Sequence, residues 1–169
     1  MPEYFDRYIN LVADVELAQA FDDSIGQLDD LDTNLLEQIS EHENAPGKWT
    51  AKEILQHVID WERILSYRTL LFARREGSTP QDIDQNRLKA NMNAETRSVD
   101  DLIAELKVVR LSSKALFDSL DDETMLLRGT NWKYEVSVLA LGFALIGHQI
   151  HHLKIIEENY LQATEKKIV

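Results

Sequence analysis

The sequence predicts an all-α fold, a four-helix bundle forming a single domain over residues 1–169, and three observations carry that expectation. The chain has only 3 prolines and 6 glycines, which leaves long uninterrupted segments. Those segments repeat apolar residues with a 3.6-residue period and show no strand-like alternation. At 169 residues and 44% hydrophobic content, the chain suffices for one self-supporting core and is short for two.

The first helix is expected over Val12 to Ile39, with Leu17, Phe21, Ser24, Ile25, Leu28, Leu31 and Leu35 near one stripe and a kink at Asp32-Thr33. It stops before Asn44-Ala45-Pro46-Gly47, because proline lacks a donor and disfavours helix in the residue before it. Helix 2 opens at Thr50-Ala51-Lys52-Glu53, a capping box in which the Thr hydroxyl and the Glu carboxylate each satisfy a backbone donor. Its inward stripe is Ile54, Val58, Trp61, Ile64, Leu65 and Arg68, and it ends by Gly77-Ser78-Thr79-Pro80. The polar stretch Gln81 to Arg97 reads as a loop with about one helical turn, suited to a flap over a site.

Helix 3 starts at the N-cap Ser98 and repeats Val99, Leu102, Ile103, Leu106, Val109, Ser113, Leu116, Phe117 and Leu120. Asp121 to Lys133 is a connector, and helix 4 runs from Glu135 to Leu161, apolar nearly all round in its first half and hence the most buried. Such helices pack as a bundle with sites built on facing side chains, and the long connection between helices 2 and 3 permits a crossover.

Several function classes are excluded. There are no cysteines, so any metal is held by nitrogen and oxygen. The net charge is −12 with scattered basic residues, which argues against nucleic acid as a partner. Met1-Pro2-Glu3-Tyr4-Phe5-Asp6 lacks the basic-then-apolar pattern of a secretory signal, so a cytoplasmic location is expected. Val136 to Ile150 falls short of the roughly 20 apolar residues a membrane span needs, and reads as a core helix.

The histidines carry the functional signal. His57 falls on the inward stripe of helix 2. His148 and His152, one turn apart on helix 4, project from its apolar stripe, whereas His151 is offset toward Lys154 and Glu158. A lone inward histidine is more often a hydrogen-bonded core residue, but three buried imidazoles are costly without a ligand to satisfy them. Two imidazoles one turn apart can ligate one ion, and a third from a facing helix completes a three-nitrogen site with an open position, expected at one end of the core. Other patterns fail. His42-Glu43-Asn44-Ala45-Pro46 breaks the zinc-protease H-E-x-x-H motif, and no paired E-x-x-H motif of a di-iron bundle is present.

Two segments together, Ala45-Pro46-Gly47-Lys48-Trp49-Thr50-Ala51-Lys52-Glu53-Ile54-Leu55-Gln56-His57 and Gly147-His148-Gln149-Ile150-His151-His152-Leu153, resemble the DinB-like or YfiT-like metalloenzymes. These include bacillithiol S-transferases and are related to mycothiol-dependent isomerases. The resemblance implies a four-helix bundle, often a homodimer, with zinc or nickel on His57, His148 and His152. It also implies a small-molecule thiol and an electrophilic substrate, for S-transfer or a related hydrolysis. Asp60, one turn from His57, is the candidate catalytic group that orients a ligand imidazole or accepts a proton. Glu62 has that reading and also a surface reading, paired with Arg63 or Lys52. Arg68 binds a substrate anion or, by the safer reading, pairs with a core carboxylate. Asp82 and Asp84 fit the pattern poorly and stand outside the expected site, and Trp49 and Trp132 read as structural plugs. The alternative to an enzyme is a non-catalytic metal-binding bundle, and a metal-free bundle that dimerises through an apolar face is the third reading.

Overall fold

The computed structural model describes residues 4–40 and 47–161. Two segments used in the sequence reading, His42-Glu43-Asn44 and the Ala45-Pro46 part of the first motif, lie outside those residues. Eight α-helices run in order: α1 (Asp6–Ile9), α2 (Leu17–Asp29), α3 (Thr33–Ile39), α4 (Ala51–Ala73), α5 (Gln85–Lys89), α6 (Val99–Asp118), α7 (Asp122–Met125) and α8 (Val138–Ile156). The long helices α2, α4, α6 and α8 make the bundle, with α4 against α6 and α8, and α2 against the same two.

Local chemistry explains most boundaries. At α4 the expected capping box forms, with Glu53 N–H donating to Thr50 Oγ1 at 3.2 Å and Thr50 N–H to Glu53 Oε2 at 2.8 Å. Thr50→Ala is expected to cost about 1 kcal/mol of stability, read as a lower urea midpoint. The helix ends at Ala73, ahead of the glycine stop expected from sequence, with Arg75 at φ 52°. Ser98 and Ser137 cap α6 and α8 through their hydroxyls.

Two expectations need correction. The first long helix is broken: α2 ends at Asp29, and Asp32 starts a new helix by accepting a hydrogen bond from Leu35 N–H at 3.0 Å. The break resets the helical phase, so Leu36 and Ile39 are buried while Leu35 is exposed. The start of helix 4 is a strand. Arg128–Asn131 (β1) pairs antiparallel with Tyr134–Ser137 (β2) across Trp132 and Lys133, and Trp132 takes φ 58°. α8 then begins at Val138.

The core divides into two apolar clusters. Leu28, Ile54, Ile59, Leu102, Leu106 and Ile156 belong to one; Phe21, Leu65, Phe117, Leu141 and Leu145 to the other. The order in which each helix meets them shows that α2 and α8 run one way and α4 and α6 the other. The connection from α4 to α6 is therefore a crossover, which explains its length. Between the clusters lies a polar seam with one residue from each bundle helix. Arg110 donates to Glu62 Oε2 at 2.8 and 3.1 Å and to Ser24 Oγ at 3.0 Å, and Gln149 Nε2 donates to the Ser24 carbonyl at 2.9 Å.

The segment Val138–Tyr160 is long and apolar enough to cross a membrane by composition, and half of its apolar window is buried within the bundle. α1 packs on α8 at Gly147, where a Cβ atom would sit 2.0 Å from the Tyr8 carbonyl oxygen.

Candidate metal centre

His57 on α4 and His148 and His152 on α8 meet in the groove between those helices, displaced from the seam toward the cluster that holds Ile54 and Ile156. Their ring centroids lie 5.0 Å (His57–His148), 4.8 Å (His57–His152) and 4.4 Å (His148–His152) apart. One ring nitrogen from each falls within 4.8 Å of the other two. The H-x-x-x-H spacing stacks the α8 pair one turn apart, and His57 reaches them because α4 packs directly against α8. Trp49 stands edge-on to His57 at 5.0 Å, and Tyr8 edge-on to His148 at 5.2 Å.

Burial sets the protonation of the three rings. It pulls His57 down to about 4 and His152 to about 3, and drives His148 well below the ordinary value, with the neighbouring histidines adding to the effect. All three are therefore neutral at pH 7, the form that ligates a metal. The Nε2 atoms of His148 and His152 face each other at 3.1 Å, close to the roughly 3.3 Å between nitrogens at the corners of a tetrahedral zinc site. His152 Nδ1 is buried without a partner among the described residues. A convergent, neutral, nitrogen-only donor set of this kind fits a borderline divalent ion.

In the metal-free protein these shifts set an acid weakness. Each folded-state pKa lies below the unfolded value near 6.5, so the unfolded chain takes up protons first. Stability is then full above about pH 6.5 and falls as pH drops toward 4 and 3. Chelator-treated protein is expected to lose about 2 kcal/mol through His57 alone between pH 7 and pH 5, above the range where most carboxylates titrate. Urea melts at the two pH values check this, and equal midpoints would mean that the rings are not held neutral.

The other expected residues fall differently. Asp60 does not line the cavity at the histidines. It accepts a hydrogen bond from Gln56 at 2.9 Å on the face toward Arg97 and Glu105, and burial raises its pKa. Glu62 is no surface charge; it is 1% exposed and bound to Arg110, while Arg63 pairs with Glu105 and Lys52 with Glu37. Arg68 is buried but has no core carboxylate, donating instead to Asn131 Oδ1 and to the Gln81 carbonyl at 3.0 Å. Asp82, Asp84 and Trp132, set aside on sequence grounds, line the cavity together with the histidines. Asp84 is occupied in capping α5, where it accepts from Asn86 and Arg87 N–H. His151 sits at the rim, 5.4 Å from the Tyr8 ring.

The DinB superfamily family model matches residues 16–156, from the bundle's first long helix to the end of the histidine helix. The chain belongs to the DinB superfamily. Among solved structures, YfiT from Bacillus subtilis superposes with a TM-score of 0.68 at 18% identity, over 92% of this chain and 85% of that one. That protein is described as a probable metal-dependent hydrolase with an unusual four-helix bundle topology. At this identity the likeness shows the shared fold. No curated protein matches the sequence.

Proposed function

We propose that this protein is a divalent-metal-dependent enzyme that holds zinc or nickel on His57, His148 and His152 and activates a small-molecule thiol for transfer to an electrophile. The observation that carries the reading is the three-imidazole cluster opening into a cavity of about 670 Å³. A storage or sensor site has no need of such a chamber, whereas a substrate does. When bound, a divalent ion supplies Lewis acidity, which makes a thiol or water a nucleophile at neutral pH.

The chain's own residues do the rest. The neutral rings present lone pairs, Tyr8, Trp61 and Trp132 line the chamber, and of its two wall carboxylates Asp84 is engaged in capping α5, which leaves Asp82 placed to accept a proton. Hydrolysis at the same centre is the second reading, supported by the description of YfiT. The enzyme is proposed to act in the cytoplasm as a homodimer. The apolar side chains exposed on the adjoining helices α4 (Tyr67, Leu70) and α6 (Val108, Leu111) support the dimer.

The test is elemental analysis of untagged protein, followed by assays of cysteine conjugation to chlorodinitrobenzene and of nitrophenyl acetate hydrolysis. Near-stoichiometric zinc or nickel with thiol conjugation is expected. Metal with hydrolysis alone selects the second reading, and protein free of metal refutes both.

A further inference from the structure

Arg110 and Arg68 are both buried, at 0% and 4% exposure, and are satisfied differently. Arg110 has the Glu62 carboxylate. Arg68 donates to two neutral acceptors, the Asn131 side-chain carbonyl and the Gln81 main-chain carbonyl, and no carboxylate among the described residues pairs with it. A buried guanidinium without an anionic partner is expensive.

Two neighbours share the deficit. Asn131 is 1% exposed, and because its Oδ1 accepts from Arg68, its Nδ2 must be the donor; that donor has no acceptor among the described residues. Trp61 Nε1 is a second buried donor without one. Arg68, Asn131 and Trp61 all line the cavity that holds the three histidines. One cation without a paired carboxylate and two neutral donors without an acceptor among the described residues thus share one wall, where a buried donor left unpaired is normally rare.

Helix geometry aims this wall at the histidines. Eleven residues make three turns, so His57 and Arg68 lie on the same stripe of α4. Trp61 stands between them, its ring 6.2 Å from the His57 ring and 5.9 Å from Arg68 Cζ, which bounds the ring-to-guanidinium distance at about 12 Å. A small molecule can therefore touch both.

We infer that Arg68, Asn131 and Trp61 form a carboxylate subsite, and that the substrate is a small monoanionic carboxylic acid whose reactive group is presented to the histidine centre. The inference rests on the metal-enzyme reading above for what happens at the histidines, but the subsite itself is built from other residues. Asp82 narrows the ligand class. Its charge acts on Arg68 without a hydrogen bond and partly neutralises the guanidinium, so the wall suits one negative charge better than the two of a phosphate.

The probes are 3-mercaptopropionate and its primary amide, titrated by calorimetry into untagged protein with and without prior chelation. Wild type is expected to bind the acid at least about tenfold more tightly than the amide, the range of a charge-assisted hydrogen-bond set. Arg68→Met should reduce the preference to about twofold or less. Asn131→Asp should do the same by placing a fixed carboxylate against Arg68 while keeping that side chain's partner, which guards against a folding defect in the first variant. Metal content should remain that of wild type in both. Equal binding of acid and amide by wild type, or a preference surviving in both folded variants, overturns the subsite. If wild type carries no metal yet prefers the acid, the metal reading falls and the subsite stands. If it carries metal but ignores the charge, the subsite falls and the metal reading stands.

Discussion

His148→Ala protein is expected to purify with less than about a tenth of the zinc or nickel found in wild type. His148 stands against both other rings, 4.4 Å from His152 and 5.0 Å from His57, and it is 8% exposed. Loss of a mere hydrogen-bonding partner of a ligand costs about 10–100-fold in affinity, so loss of a ligand exceeds that. The stability consequence follows by linkage, because an ion that binds only the folded chain raises its melting temperature. Chelator should lower the melting temperature of wild type and leave the variant unmoved, and thiol conjugation should disappear with the ion. A variant that retains full metal would remove His148 from the centre.

The second large effect lies in the seam. Arg110→Leu strands the Glu62 carboxylate at 1% exposure, with a leucine side chain in place of its guanidinium. Breaking a buried pair by removing one member costs about 3–5 kcal/mol, and for a chain of this size that corresponds to about 6–20 °C in melting temperature. Replacing both members is a different experiment, since no charge is then left unpaired. Glu62→Leu with Arg110→Leu should recover most of the loss in urea unfolding. A single variant within 1 kcal/mol of wild type would show that Glu62 escapes to solvent or takes up a proton when its partner is gone.

What sequence could show divides by the distance over which its signals act. Thr50 with Glu53, Ser98 and the His148–His152 spacing are each complete within about one helical turn, and each forms as expected. Bringing His57 to that pair needed only the inward stripe of α4. The failures involve partners remote in the chain or weak in local code. Glu62 reads as a surface charge because its partner is Arg110, although Arg110 falls on the α6 stripe four residues after Leu106 and was open to detection. Arg68 finds its acceptors at Gln81 and Asn131, one in a loop and one in a hairpin. That hairpin has little local signature, because its strands are four residues each and its turn is Trp132-Lys133, without the Asn-Gly or Asp-Gly that favours such turns. Asp60 lies one turn from His57, yet a 100° step per residue carries it round to the Gln56 and Arg97 side.

The tight seating of Tyr8 on Gly147 gives the amino-terminal turn leverage over His148, whose ring stands against the Tyr8 ring. Drawing residues 4–10 aside, by a bulky fusion partner or by a protease cutting at Asn10, would bare one face of His148 without altering any ligand. A methyl group at position 147 would act from the opposite direction, forcing Tyr8 outward. Because the contact is with the main chain of Tyr8, no exchange of the residue at position 8 relieves it: a side chain at position 147 moves the whole turn, and with it the aromatic gatepost and the shape of whatever the chamber admits.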